Sequence, residues 1–101
     1  YINDHFHEPI SVPELSRRFG ISSSYMTREF TAYTGRSVYD YVLYRRIQSA
    51  KEMIYAGDSL TEIAFRCGFN DYSCFLRAFQ KLTGRSPSAY RKYIQSIEKM
   101  P

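Results

Sequence analysis

The chain carries one pattern twice. Glu14-Leu15-Ser16-Arg17-Arg18-Phe19-Gly20-Ile21 matches Glu62-Ile63-Ala64-Phe65-Arg66-Cys67-Gly68-Phe69 at a shift of 48 residues. The match then resumes one residue later. At a shift of 49, Arg28, Phe30, Thr34-Gly35-Arg36-Ser37 and Tyr41 fall on Arg77, Phe79, Thr83-Gly84-Arg85-Ser86 and Tyr90. Self-similarity at such a period marks two copies of one supersecondary unit, so any fold must hold the same local structure in two places.

Each copy reads as helix, tight turn, helix. Ser11-x-x-Glu14 and Ser59-x-x-Glu62 are capping-box patterns, in which the serine oxygen and the glutamate carboxylate satisfy amides left free at a helix start. Gly20 and Gly68 stand where these helices end, since glycine enters the left-handed conformation of a helix C-terminus without a Cβ clash. Second helices start near Ser22 and near Asn70 or Asp71, all good N-caps, and run to Gly35 and Gly84. This is a helix-turn-helix pattern, although a single such unit is equally a helical hairpin packed for structure alone.

Between the copies, residues 37–56 contain no Gly or Pro and place Val38, Tyr41, Val42, Ile47, Ala50 and Ile54 at largely helical spacing. One uninterrupted linker helix is expected. Its roughly 20 residues span about 30 Å at 1.5 Å each, close to the roughly 34 Å of one B-DNA turn. Ser86-Pro87 supplies an N-cap followed by proline at the first helical position and opens a terminal helix through about Ile94. Tyr1 to His7 supports a short leading helix. No strand pattern competes, so the expected class is all-α.

Projecting the second helices at 100° per residue separates their faces. In the second copy Phe75, Ala78, Phe79 and Leu82 form an apolar stripe, with Ser73, Arg77 and Gln80 opposite. In the first, Met26, Phe30 and Tyr33 form the stripe, and Ser24, Arg28 and Thr31 lie opposite. A polar outward face is ordinarily just a solvated one. Its recurrence at matched positions favours recognition: arginine can take guanine O6 and N7 in a fork, and Ser or Thr can donate or accept. Glu29 works against this, projecting between stripe and polar face. Arg36 and Arg85 follow the terminal glycines and precede N-cap serines, beside free helix-start amides, which suits a phosphate oxygen; solvated loop arginines are the competing reading. Lys81 is a further phosphate candidate, without a counterpart near Thr31. On the linker helix, Arg45 and Arg46 are expected to differ, one exposed and the other bracing the two units. Arg46-Ile47-x-x-Ala50 reads as structural.

The remaining composition excludes several classes. A hydrophobic content of 44%, with seven Phe and ten Tyr, furnishes a core for 101 residues and argues against disorder. No stretch approaches the roughly 20 apolar residues that span a bilayer, and no basic start precedes an apolar run; a soluble, cytoplasmic protein without membrane partners is expected. Cys67 and Cys74 lack CxxC spacing or flanking histidines, so packing or surface thiols are expected and no metal or cofactor. His5 and His7 are two apart and do not share a helix face, and no nucleophile or third ligand accompanies them, which leaves little for an enzyme. The net charge of +4 is compatible with a polyanionic partner without demanding one. A protein-binding helical module is the alternative. Opening on Tyr1 rather than Met, the chain is expected to be a piece excised from a longer protein.

These residues resemble the AraC/XylS family of bacterial transcription regulators. The second half carries the signature closely: Ile63-Ala64, Gly68-Phe69, Tyr72-Ser73, Phe75, Arg77, Phe79, Lys81, Gly84, Ser86-Pro87 and Tyr90-Arg91. Ser22, Arg28, Phe30, Gly35, Tyr41, Arg46 and Ala50 fit the less regular first half, so the likeness covers nearly the whole chain. It implies a seven-helix domain: a helix-turn-helix subdomain over residues 1–36, a linker helix over 37–56 and a second helix-turn-helix subdomain over 57–101. It also implies double-stranded DNA as partner, with base contacts from Ser24, Thr27 and Arg28 in one major groove and Tyr72, Ser73 and Arg77 in the next. Thr27 and Tyr72 rest on the resemblance alone. A sensing, dimerising or receiver domain in the full-length protein, and activation of transcription through RNA polymerase, are further implications. Glu29, the missing lysine near Thr31 and the cysteines at 67 and 74 depart from the pattern and bear on the target sequence.

Overall fold

Seven helices and no strand make up residues 1–100, the part described by the computed structural model. They are α1 (Ile2–His5), α2 (Val12–Phe19), α3 (Ser23–Thr34), α4 (Val38–Ala56), α5 (Leu60–Arg66), α6 (Tyr72–Thr83) and α7 (Pro87–Glu98). Helices α2–α3 and α5–α6 are the two helix-turn-helix units, and α4 joins them.

Local chemistry explains most boundaries. Side-chain oxygens of Ser11, Ser22, Ser37, Asp71 and Ser86 each accept the amide of the residue three positions on, at 2.8–3.3 Å. Each such cap contributes about 0.5–2 kcal/mol. The Cys74 amide also holds the Asp71 carboxyl below the usual carboxylate range. One expected cap is not formed: Ser59 precedes α5 but makes no side-chain bond to it. The seven-residue α5 is fixed instead by Ile63 and Ala64, both wholly buried. Two lengths also differ from expectation. Helix α1 has only four residues, and α7 runs four residues past Ile94 to Glu98, carrying Ile94 onto the core and leaving Ile97 exposed.

Helix α4 carries two apolar stripes. Val38 and Val42 lie on one side, and Leu43, Ile47, Ala50 and Ile54 are centred roughly 130° away at 100° per residue. The first side packs with Ile2 and Leu15 beneath Met26 and Phe30 of α3. The second packs with Ile63, Ala64, Cys67, Phe69, Phe75 and Phe79. The linker is therefore a shared wall between two separate cores, not a spacer in solvent. The molecule is elongated accordingly. Its radius of gyration is 15.6 Å and its long axis 52 Å, where a round domain of this length has a radius near 13 Å.

The two cores are unequal. Phe75 and Phe79 are wholly buried, as is the free thiol of Cys67. No residue of α3 is buried: Met26 and Phe30 are half-buried, and Tyr33, expected on the apolar stripe, is 94% exposed. Leu82, its counterpart in α6, is likewise exposed. Both lie in the last turn of their helices, Leu82 on the rim of a shallow depression with Asp40, Leu43 and Tyr44 of α4, so helical periodicity continues there after the enclosed core has ended.

Candidate nucleic-acid interface

The short helix and turn of each unit present a longer helix whose apolar side rests on α4. Of the side chains expected to face outward, Ser24, Thr27 and Arg28 on α3 are all exposed, as are Ser73 and Arg77 on α6. Tyr72 differs. It is half-buried at the first turn of α6, packed on the second core with its ring 5.6 Å from Phe75, so only its outer edge is available.

The two arginines stand in different surroundings. Arg77 has only the Sγ of Cys74 at 3.4 Å, a weak acceptor that leaves the guanidinium free to be redirected. Arg28 lies 4.0 Å from the Glu29 carboxylate, with both side chains more than half exposed, and 5.7 Å from the Tyr25 ring. An exposed pair of this kind contributes little to stability. Its relevance is competition, since Glu29 offers Arg28 an acceptor that an incoming base or phosphate must displace.

Arg36 and Arg85 occupy two copies of one turn. Thr34 Oγ1 lies 2.8 Å from the Phe30 carbonyl and 3.0 Å from the Arg36 carbonyl, and accepts the Arg36 amide at 3.2 Å. Thr83 repeats those distances with Phe79 and Arg85. The single hydroxyl proton serves one carbonyl at a time while the oxygen holds the amide. Each arginine then sits over a tyrosine of the following helix, with Cζ 4.0 Å from the ring centroid of Tyr44 for Arg36 and of Tyr93 for Arg85. A guanidinium held over a ring face is restrained by the cation–π contact while its N–H groups remain open to phosphate oxygens. Lys81 is also exposed, and it lines one depression with Arg36, Asp40 and Tyr44, so cations from the two units meet beside α4. Arg85 stands apart, against α7.

Sequence reasoning missed Tyr44 and Tyr93. The signal was present, because these two tyrosines are themselves related by the shift of 49, one helical turn beyond the Tyr41 and Tyr90 pair. Among the described residues, no group of three or more His, Cys, Asp or Glu could hold a metal ion, and no helix is long and apolar enough to cross a membrane.

Comparison with known proteins gives this surface a context. A family model described as a helix-turn-helix domain matches residues 15–93. An uncharacterised HTH-type transcriptional regulator of Staphylococcus aureus strain COL is 36% identical over 92 residues, which are 90% of this chain but 12% of the relative. The DNA-binding domain of the global transcriptional factor AdpA, solved in complex with a target DNA, superposes with a TM-score of 0.89 at 28% identity, covering 98% of this chain and 90% of that one. A structure described as a probable AraC family transcriptional regulator from Rhodopseudomonas palustris matches at a TM-score of 0.79 and 27% identity, covering 92% of this chain and 89% of that one.

Proposed function

This chain belongs to the AraC-type helix-turn-helix family of DNA-binding transcription regulators, and from that premise we propose that it reads a specific duplex site with α3 and α6 in successive major grooves. The observation that carries the reading is the matched outward set: Ser24 with Ser73 and Arg28 with Arg77, exposed on two helices backed by one α4 wall. Thr27 and the outer edge of Tyr72 complete the base contacts. Arg36, Lys81 and Arg85 take phosphates, the two arginines aimed by Tyr44 and Tyr93.

Residues 1–36 and 57–101 act as the two reading subdomains and 37–56 as their link. Since the chain spans only 12% of the length of its staphylococcal relative, a sensing, dimerising or receiver domain is proposed beside it in the full-length protein. Activation of transcription through contact with RNA polymerase, inside the cytoplasm, is the finer reading and rests on the family resemblance.

A salt titration of duplex binding tests the proposal. Log affinity should fall linearly with log salt, and Arg36→Ala or Arg85→Ala should each lower that slope by about one. Arg77→Ala should cost about 1–3 kcal/mol of binding and relax base preference within one half-site, with the fold intact. A chain that binds no duplex even at low salt would be a protein-binding module instead.

A further inference from the structure

Arg46 projects from α4 in the angular gap between the two apolar stripes, where the two lobes meet. Its Nε donates to the Phe6 carbonyl at 2.6 Å and its Nη2 to the Glu8 carbonyl at 2.9 Å, both in the loop between α1 and α2 of the first lobe. On the other side, its Cζ lies 5.5 Å from the ring of Phe69, in the turn of the second helix-turn-helix. Arg46 thus touches the loop of one lobe and the turn of the other at once.

The repeat supplies an internal control. Gly20 and Gly68 occupy matching positions and both have positive φ, 68° and 105°. A Cβ on Gly20 would meet nothing within 4 Å. On Gly68 it would lie 2.7 Å from the His7 carbonyl oxygen and 2.9 Å from Arg46 Nε. The turn alone calls for glycine at both positions; only the second also brings it hard against the other lobe. Three residues after Gly68, Asp71 caps α6, so whatever fixes this turn against the loop over residues 6–8 fixes the direction of α6 relative to the first lobe.

We propose that Arg46 and Gly68 form a clasp between the lobes that sets which half-site spacing the domain accepts, making Arg46 a positioning residue for specificity. The inference rests on the DNA-reading proposal above. Without the clasp, α4 still joins the lobes through its two packed stripes, but the tilt of α6 against the loop over residues 6–8 is held less narrowly. Each base pair of altered spacing rotates one half-site by roughly 34°. A clasped domain resists that rotation, whereas an unclasped one absorbs more of it.

The test uses a bipartite duplex site and versions with one base pair added or removed between the halves, bound by the wild-type chain and by Arg46→Met and Arg46→Lys. Methionine keeps the apolar stem without donors, and lysine keeps the charge but cannot reach both carbonyls in a fork. Wild type should lose roughly tenfold or more at altered spacing, the equivalent of one displaced bidentate contact. Both variants should flatten that ratio while keeping wild-type affinity for each isolated half-site. A folded variant with undiminished discrimination overturns the proposal. So does failure of both variants to fold, which would assign Arg46 to holding the structure. Absence of specific binding by the wild type is scored first and separately, since it would sink the DNA-reading proposal itself.

Discussion

Phe79→Ala is expected to destabilise the protein by about 3–5 kcal/mol, the range for removing a fully buried phenyl ring. The ring is wholly buried at the back of α6, with centroids 5.7 Å from Phe75 and 5.4 Å from Tyr90, so truncation leaves a void bounded by α4, α6 and α7. Domains of this size carry only about 5–15 kcal/mol in total, and the loss should appear as a large drop in Tm. Phe30→Ala, at the matching position, should cost less, about 1–2 kcal/mol. Its ring is half-buried and already borders an open apolar pocket lined by Ile2, Leu15, Phe19 and Met26. Thermal melting of both variants checks the order. A Phe79→Ala protein that melts like the wild type yet fails to bind DNA would place the ring at the interface instead of in the core.

The difference between these two phenylalanines shows where sequence reading stops. The repeat, the serine caps at 11, 22, 37 and 86, the αL glycines at 20, 35 and 84 and the unbroken α4 were legible because each depends on a few neighbouring residues, and these are present, whereas the Ser59 cap is not. The depth of each core was not legible. It depends on what packs across, and the first lobe has only four residues in α1 where the second has the C-terminal half of α4. Tyr33 and Leu82 follow the same logic, since their spacing fits the stripe but in the last turn Tyr33 stands in solvent and Leu82 is only partly covered. Outward exposure of Ser24, Arg28, Ser73 and Arg77 was readable from periodicity. The tyrosines beneath Arg36 and Arg85 were readable only from the repeat, and the Arg46 clasp only in part: a brace was expected from that helix, but its carbonyl partners lie about forty residues away in sequence.

A second large effect is expected from the DNA. Inserting about five base pairs between the two half-sites rotates one to the far side of the duplex. The 19 residues of α4 form an unbroken rod of roughly 28 Å, packed into both lobes, and it cannot wind to follow. Specific affinity should fall to that of the better half-site alone, a loss on the order of 10²–10⁴-fold as bivalent engagement disappears. Adding ten base pairs restores the face but separates the halves by a further turn, roughly 34 Å, which the rod cannot span either. Gel-shift titration at fixed salt on native, plus-five and plus-ten duplexes reads this. Recovery at plus-ten would mean that separate molecules, or a flexible connection, engage the halves.

On the proposed reading one chain recognises two unlike sequences on one face of DNA, since Arg28 is shadowed by Glu29 and Arg77 is not, and Thr31 stands where the second unit has Gln80. Selection of bound duplexes from a random library tests this most directly, with the number of chains per duplex measured on the winning sequence. Two dissimilar blocks are expected, centres about 10–10.5 base pairs apart, bound by a single chain. An inverted repeat of one block occupied by two chains, or a single block with no second preference a turn away, would contradict it.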